Sequence, residues 1–321
     1  MSISTKTAPP PTAGGASLLT YRPYRGRLRG PMAAVWAIAR TGLRTILRRK
    51  LFWGLYGCGL MIFLFFFFGQ YLLRYLGSQL GEQTITLSPT TRMQVEPARL
   101  LELFQTSLKI NGSGETYRNV IWYEGFLVMI VLALAGAVLV GNDFRFGSLP
   151  FYLSKPLGRW HYVLGKCLAV AVFVNLMTTV FALVLWLEYG LLADDWNYLL
   201  TTWNLVFGIL AYGAVLTVFL SLLLVATASW LRKTVPMVMV WAALFVFARA
   251  VRELFEKIRP DEPQWRLLDL WYDASIVGDW CLGLTGEAIR PATWEAALVL
   301  AAVVAASLIY LNRRIRAVEV V

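Results

Sequence analysis

Six stretches of this chain are apolar over the roughly 17 to 25 residues that a helix needs to cross the hydrocarbon core of a bilayer. They fall at 51–73, 120–141, 162–187, 203–231, 235–251 and 293–312. Hydrocarbon offers a backbone no water, so a spanning segment has to satisfy its own amides and carbonyls, and this selects α-helix. The expected fold is an all-α integral membrane protein with six transmembrane helices. The fourth window is long, and the fifth is short and holds Pro236, which leaves its ends the least defined. Only the short turn at Arg232–Lys233 separates these two. Composition agrees, with 58% hydrophobic residues and 15% charged, where a soluble domain has about half and a quarter.

Charge placement predicts the orientation. With the amino terminus in the cytoplasm, the inside segments are 1–50, 142–166, 231–234 and 313–321. They hold 19 of the chain's 30 Lys and Arg but only two of its 19 acids, Asp143 and Glu319. That asymmetry is the positive-inside pattern, and it puts both termini in the cytoplasm of a multi-pass cell-membrane protein. It also accounts for the net charge of +11, so nucleic acid is not an expected partner. Three Cys, an odd number, do not make a disulfide framework. A single histidine, His161, argues against most metal and haem chemistry.

Residues 1–30 are rich in Thr, Pro, Gly and Ala at their start and are expected to be a disordered cytoplasmic tail with no cleaved signal. The remainder, 31–321, reads as one membrane domain. Within 31–50, a helical wheel gathers Met32, Val35, Trp36, Ala39, Leu43, Ile46 and Leu47 on one face, with Arg40, Arg44 and Arg48 along its edge. An apolar face bordered by Arg suits a helix lying in the membrane interface, its guanidiniums reaching anionic lipid headgroups.

Between the second and third windows, Gly141 to Lys166 is too polar and too broken to cross a bilayer. Ser148 can cap a short helix and Pro150 fits its first turn. Pro156 disfavours helix at Lys155, which limits that helix to about two turns over 148–154. A carboxylate at Asp143, then Gly147-Ser148-Leu149, Leu153-Ser154-Lys155-Pro156-Leu157 and a closing Val163-Leu164-Gly165-Lys166, resembles the permease subunits of type-2 ATP-binding cassette (ABC) exporters. The local likeness covers about twenty-five residues. Asp143 stands where that family more often has Glu, and Ser148 where it has Thr. The resemblance implies a coupling helix that docks on a separate ATPase subunit, with Asp143, Ser148, Leu149, Phe151, Tyr152, Lys155 and Pro156 at the contact. It also implies an elbow helix at 31–50, a second permease copy or paralogue as partner, and a pathway between copies built from spans one, two and five.

The run from Gly158 to Lys166 is not a phosphate-binding loop. A Walker A loop has four residues between its glycines and a hydroxyl after the lysine, whereas here six residues intervene and Cys167 follows. The chain is therefore expected to bind no cofactor and to be no enzyme, with ATP and magnesium on the partner. An intramembrane hydrolase would need a nucleophile and base, or a metal pair, at one depth. A non-transporting assembly subunit is the remaining alternative.

Ionisable residues near span ends, Glu124, Lys166, Glu188, Arg249 and Glu295, read mainly as boundary residues, Lys166 and Arg249 snorkelling to headgroups; the alternative for Glu124 and Glu188 is substrate binding at the outer mouth. Asn175, deep in the third span, is expected to hydrogen-bond between helices. Asp143 is either paired locally with Arg145 or Lys155, or a fixed anion that sets the coupling loop. In the outer segments, an amphipathic helix is expected after Pro97. Short helices at 267–272 and 276–284 either re-enter the outer leaflet or form a surface cap. Trp265, Trp271, Trp280 and Trp294 are placed in the aromatic belt.

Overall fold

A computed structural model of the chain describes residues 30–79, 109–148, 158–192, 196–259, 262–284 and 290–315. The expected tail at 1–29, the amphipathic helix after Pro97 up to residue 108, and the coupling helix beyond Ser148 lie outside the described residues.

Among the described residues there is no strand. Six helices are long and apolar enough to cross a membrane: Lys50–Tyr75, Gly114–Arg145, Arg159–Leu192, Trp203–Leu231, Thr234–Ile258 and Thr293–Arg314. Each contains one expected window and most overrun it, because helix continues into polar flanks that a hydropathy window leaves out. The fifth span is longer than expected. Pro236 is its third residue, in the first turn, where amides have no intrahelical acceptor to lose. Arg232 closes the fourth span in the left-handed conformation, with φ 54°, and this reverses the chain within two residues.

The second span is the core of the bundle, with 72% of its apolar window buried. It touches the first, third, fourth and fifth spans. The first and fifth spans have only 17% of their windows buried and lie at the periphery. The sixth packs on the fourth. The third span kinks at Thr178, whose hydroxyl donates back to Val174 O at 2.8 Å. Asn175 behaves as expected and bridges helices, donating from Nδ2 to Thr217 Oγ1 of the fourth span at 2.6 Å.

Between the fifth and sixth spans the two short helices expected at 267–272 and 276–284 are divided differently. A 3₁₀ turn over Pro263–Leu268 leads into one helix, Leu270–Cys281. Asp269 caps it, accepting from the amides of Trp271 at 3.0 Å and Tyr272 at 3.2 Å. This helix is not a surface cap, for it is wedged against the second, fourth and sixth spans. Bare glycine backbone admits it. Trp271 lies directly on Gly125, and a methyl on Gly208 would stand 2.5 Å from Cys281 O. Trp271 therefore leaves the expected aromatic belt and is buried against Trp122 and Phe126. Trp280 and Trp294 remain exposed, as a belt requires.

Candidate functional site

The segment that ends the second span departs from α-helix before it reaches its charge. Ala137–Gly141 is a π turn, after which Asn142–Arg145 completes the helix. A wider turn tilts carbonyls out of the regular ladder and is common at functional positions. Here Leu139 O accepts from Lys166 Nζ at 2.5 Å. The same ammonium lies 2.7 Å from Asp143 Oδ2, and Tyr162 donates its hydroxyl to that oxygen at 2.8 Å. The two charged side chains are only 15% and 7% exposed. A buried pair holds its geometry only when its remaining hydrogen-bonding capacity is met, and here a carbonyl and a phenol contribute to that.

Lys166 therefore does not snorkel to headgroups. It is held inside the bundle and clamps the end of the second span to the first turns of the third. Asp143 pairs with Lys166, not with Arg145, whose guanidinium lies over the Phe146 ring at 5.3 Å. Ser148 sits just beyond, its amide donating to Asp143 O at 2.9 Å across Gly147, which has φ 68°. Leu149, Phe151, Tyr152, Lys155 and Pro156 lie outside the described residues. At the far side of the loop, His161 Nδ1 accepts from the Gly158 amide at 3.1 Å. That bond closes the first turn of the third span.

The helix Pro31–Leu47 lies across this clamp. A methyl on Gly165 would stand 2.8 Å from Ile38, and one on Gly42 would stand 2.8 Å from Leu139. Its buried face is Val35, Ile38, Ala39, Gly42 and Ile46. Met32 and Trp36, grouped with that face on the wheel, are 72% and 59% exposed. The wheel merged two apolar faces, because this helix packs on protein along one of them. Arg40, Arg44 and Arg48 are exposed. Trp53 Nε1 donates to Leu47 O at 2.8 Å and ties the helix end to the first span.

Sequence reasoning passed over Lys166 and Tyr162 as site residues. The signal was present: a lysine about 10 Å inside a span by helical rise needs an acid, and Asp143 is the one nearest that face in sequence. Glu124 and Glu188 do not face outward as headgroup-level boundary residues would, since both are buried in the bundle. Glu295 and Arg249 each have a partner on their own helix or its cap. Glu295 accepts from the Ala292 amide at 3.0 Å and caps the sixth span, and Arg249 pairs with Glu253 at 3.0 Å.

Comparison with curated proteins finds no match. A family model described as ABC-2 family transporter protein matches residues 36–256. That match runs from the amino-terminal helix to the end of the fifth span and takes in the whole Asp143–Lys166 clamp; the chain belongs to the ABC-2 family, as a membrane-spanning permease component of an ABC transporter.

Proposed function

We propose that the chain is the permease of an ATP-driven exporter and works as a pair of copies above two ATPase subunits. The short helix 148–154 is the ATPase contact, with Ser148, Leu149, Phe151 and Tyr152 on it and Lys155 and Pro156 following. The observation that carries this reading is the clamp. A push on this loop is delivered through Asp143, Lys166 and Tyr162 to the second and third spans together, because a largely buried ion pair held by a further phenol and carbonyl resists shear. The amino-terminal helix rests on the same turns and would move with them, its exposed Arg40, Arg44 and Arg48 on anionic headgroups.

In this reading both termini are cytoplasmic, and ATP and magnesium are held by the partner. The pathway lies between copies, on the lightly buried first and fifth spans and the second span between them. An apolar groove of about 220 Å³ between the second and fifth spans, lined by Phe126, Met129, Trp241 and Phe245, supports that placement.

The test is Phe151→Asp in the full chain, co-expressed with its ATPase. A charge buried in a partner groove without a counter-charge costs several kcal/mol. Co-purification of the ATPase should fall at least tenfold, while the permease keeps its normal abundance and melting temperature. Undiminished co-purification and transport would reduce this loop to a connection.

A further inference from the structure

Two carboxyl groups inside the bundle take no part in the clamp. Glu124 of the second span is fully buried, and neither of its oxygens has a hydrogen-bond partner among the described residues. It faces the bare backbone of Gly59 in the first span. A methyl there would stand 2.7 Å from Glu124 Oε2 and 2.7 Å from Met177 Cε of the third span. Glu188, near the opposite end of the third span from the clamp, is also buried, and its Oε1 has no partner. Turned to satisfy both groups, the Gln70 amide donates to Leu185 O at 3.2 Å and Glu188 Oε2 at 3.3 Å.

Gln70 follows Gly59 on the first span by about three helical turns, roughly 16 Å, so one face of that span covers both acids. Aromatic rings occupy the interval. Phe66 is buried on this face, and Phe63 lies 4.7 Å from Phe181 of the third span. At the Glu188 end a groove of about 340 Å³ runs between the first and third spans. Phe67, Tyr71, Leu187 and Leu191 wall it, and Glu188 contributes to its lining.

We propose that the seam beneath the first span is a binding site for a lipophilic organic cation, an aryl- or alkyl-substituted ammonium or phosphonium. The cation is received at the groove over Glu188 and passes toward Glu124 as the first span swings aside. This assigns a substrate class to the exporter proposed above and rests on that reading. A carboxylate withdrawn from water calls for a counter-charge, and aromatic faces attract cations through their quadrupoles. The apolar walls suit a cation that carries its own hydrocarbon. A bare metal ion is disfavoured, because no three His, Cys, Asp or Glu converge among the described residues. A lipid chain would fill the groove but would bring neither acid a counter-charge. In the closed seam both Glu124 oxygens and Glu188 Oε1 are buried, so full engagement of the cation requires movement of the first span, the lightly buried cover described above.

The experiment is equilibrium binding of tetraphenylphosphonium and its isosteric anion tetraphenylborate to the purified full chain in lipid nanodiscs, with no ATPase and no ATP. Tetraphenylphosphonium should bind saturably, and tetraphenylborate at least tenfold more weakly. Glu188→Gln and Glu124→Gln should each weaken tetraphenylphosphonium binding at least tenfold. Where a Gln variant does not fold, Gly59→Ala narrows the seam at Glu124 and should weaken binding in the same sense. Equal binding of both ions, or unchanged affinity in variants that elute and melt as the parent does, overturns the proposal and makes the groove a place for lipid. No cation binding by a chain that still captures its ATPase overturns this inference alone. Cation binding by a chain that captures no ATPase supports the site and counts against the exporter reading.

Discussion

The clamp and the wedge treat buried charge in opposite ways. At the clamp, Asp143 and Lys166 meet at 2.7 Å, and a phenol and a carbonyl add hydrogen bonds to the pair. At the other end of the bundle, Asp273 on the wedge helix is fully buried, and neither of its carboxyl oxygens has a hydrogen-bond partner among the described residues. Burial pushes its pKa up to about 8; the neighbouring Asp269 charge adds to the shift and Arg252 opposes it. A satisfied pair specifies one arrangement of the chain around it. A lone carboxyl leaves the arrangement conditional on a proton. On the exporter reading proposed above, the rigid end is the one that receives force and the adaptable end the one that releases substrate.

The largest expected effect comes from breaking the pair. Lys166→Met leaves Asp143 partly buried without its cation, a loss of about 3–5 kcal/mol in comparable buried pairs. Abundance and melting temperature in detergent should both drop sharply. Replacing both partners with apolar residues, Asp143→Leu with Lys166→Met, should recover most of the melting temperature while transport stays lost. Recovery of transport in the double variant would make the clamp a packing element only.

A smaller effect is expected at the wedge, and its sign follows from proton linkage. The unfolded chain releases the Asp273 proton in the ordinary carboxylate range, and the folded chain holds it until about pH 8. Between those limits the folded state binds more protons, so stability falls as pH rises and levels off above about 8. Asp273→Asn should flatten that slope and raise the melting temperature more at pH 8 than at pH 5. A parental slope retained in the variant would assign the dependence to another group.

The smallest change concerns which end faces out. Cys281 closes the wedge helix, half-buried, and burial raises its thiol pKa. A membrane-impermeant maleimide should label it in intact cells slowly at pH 7 and faster at pH 9, while Cys58 and Cys167 stay protected within their spans. Labelling only after the cells are opened would reverse the orientation and exchange the roles given to clamp and wedge.

The spans were legible in the sequence because hydrocarbon imposes one requirement over many consecutive residues, and even Asn175 announced its role by being polar at depth. What escaped was pairing across distance. Asp143 was singled out, but Lys166 lies on another helix beyond a loop, and proximity in sequence pointed to nearer cations such as Arg145. Trp271 was assigned to the headgroup level because its neighbours gave no hint that Gly125 would leave room for it. Glu124 was discounted for standing near a window's edge, although the helix runs on to Gly114 and encloses it. Packing between elements decided all three.

The π turn at Ala137–Gly141 makes chain length itself part of the mechanism. An α-helix advances about 100° per residue, and a single π turn amounts to one extra residue accommodated without breaking the helix. Removing one residue would let the turn close to regular α-helix with its flanks still in phase, whereas inserting one more would swing Asp143 about a quarter of the way round the helix, away from Lys166. Tolerance to insertion should therefore be poorer than tolerance to deletion at these aliphatic positions, even where substitution of one small apolar residue for another is harmless.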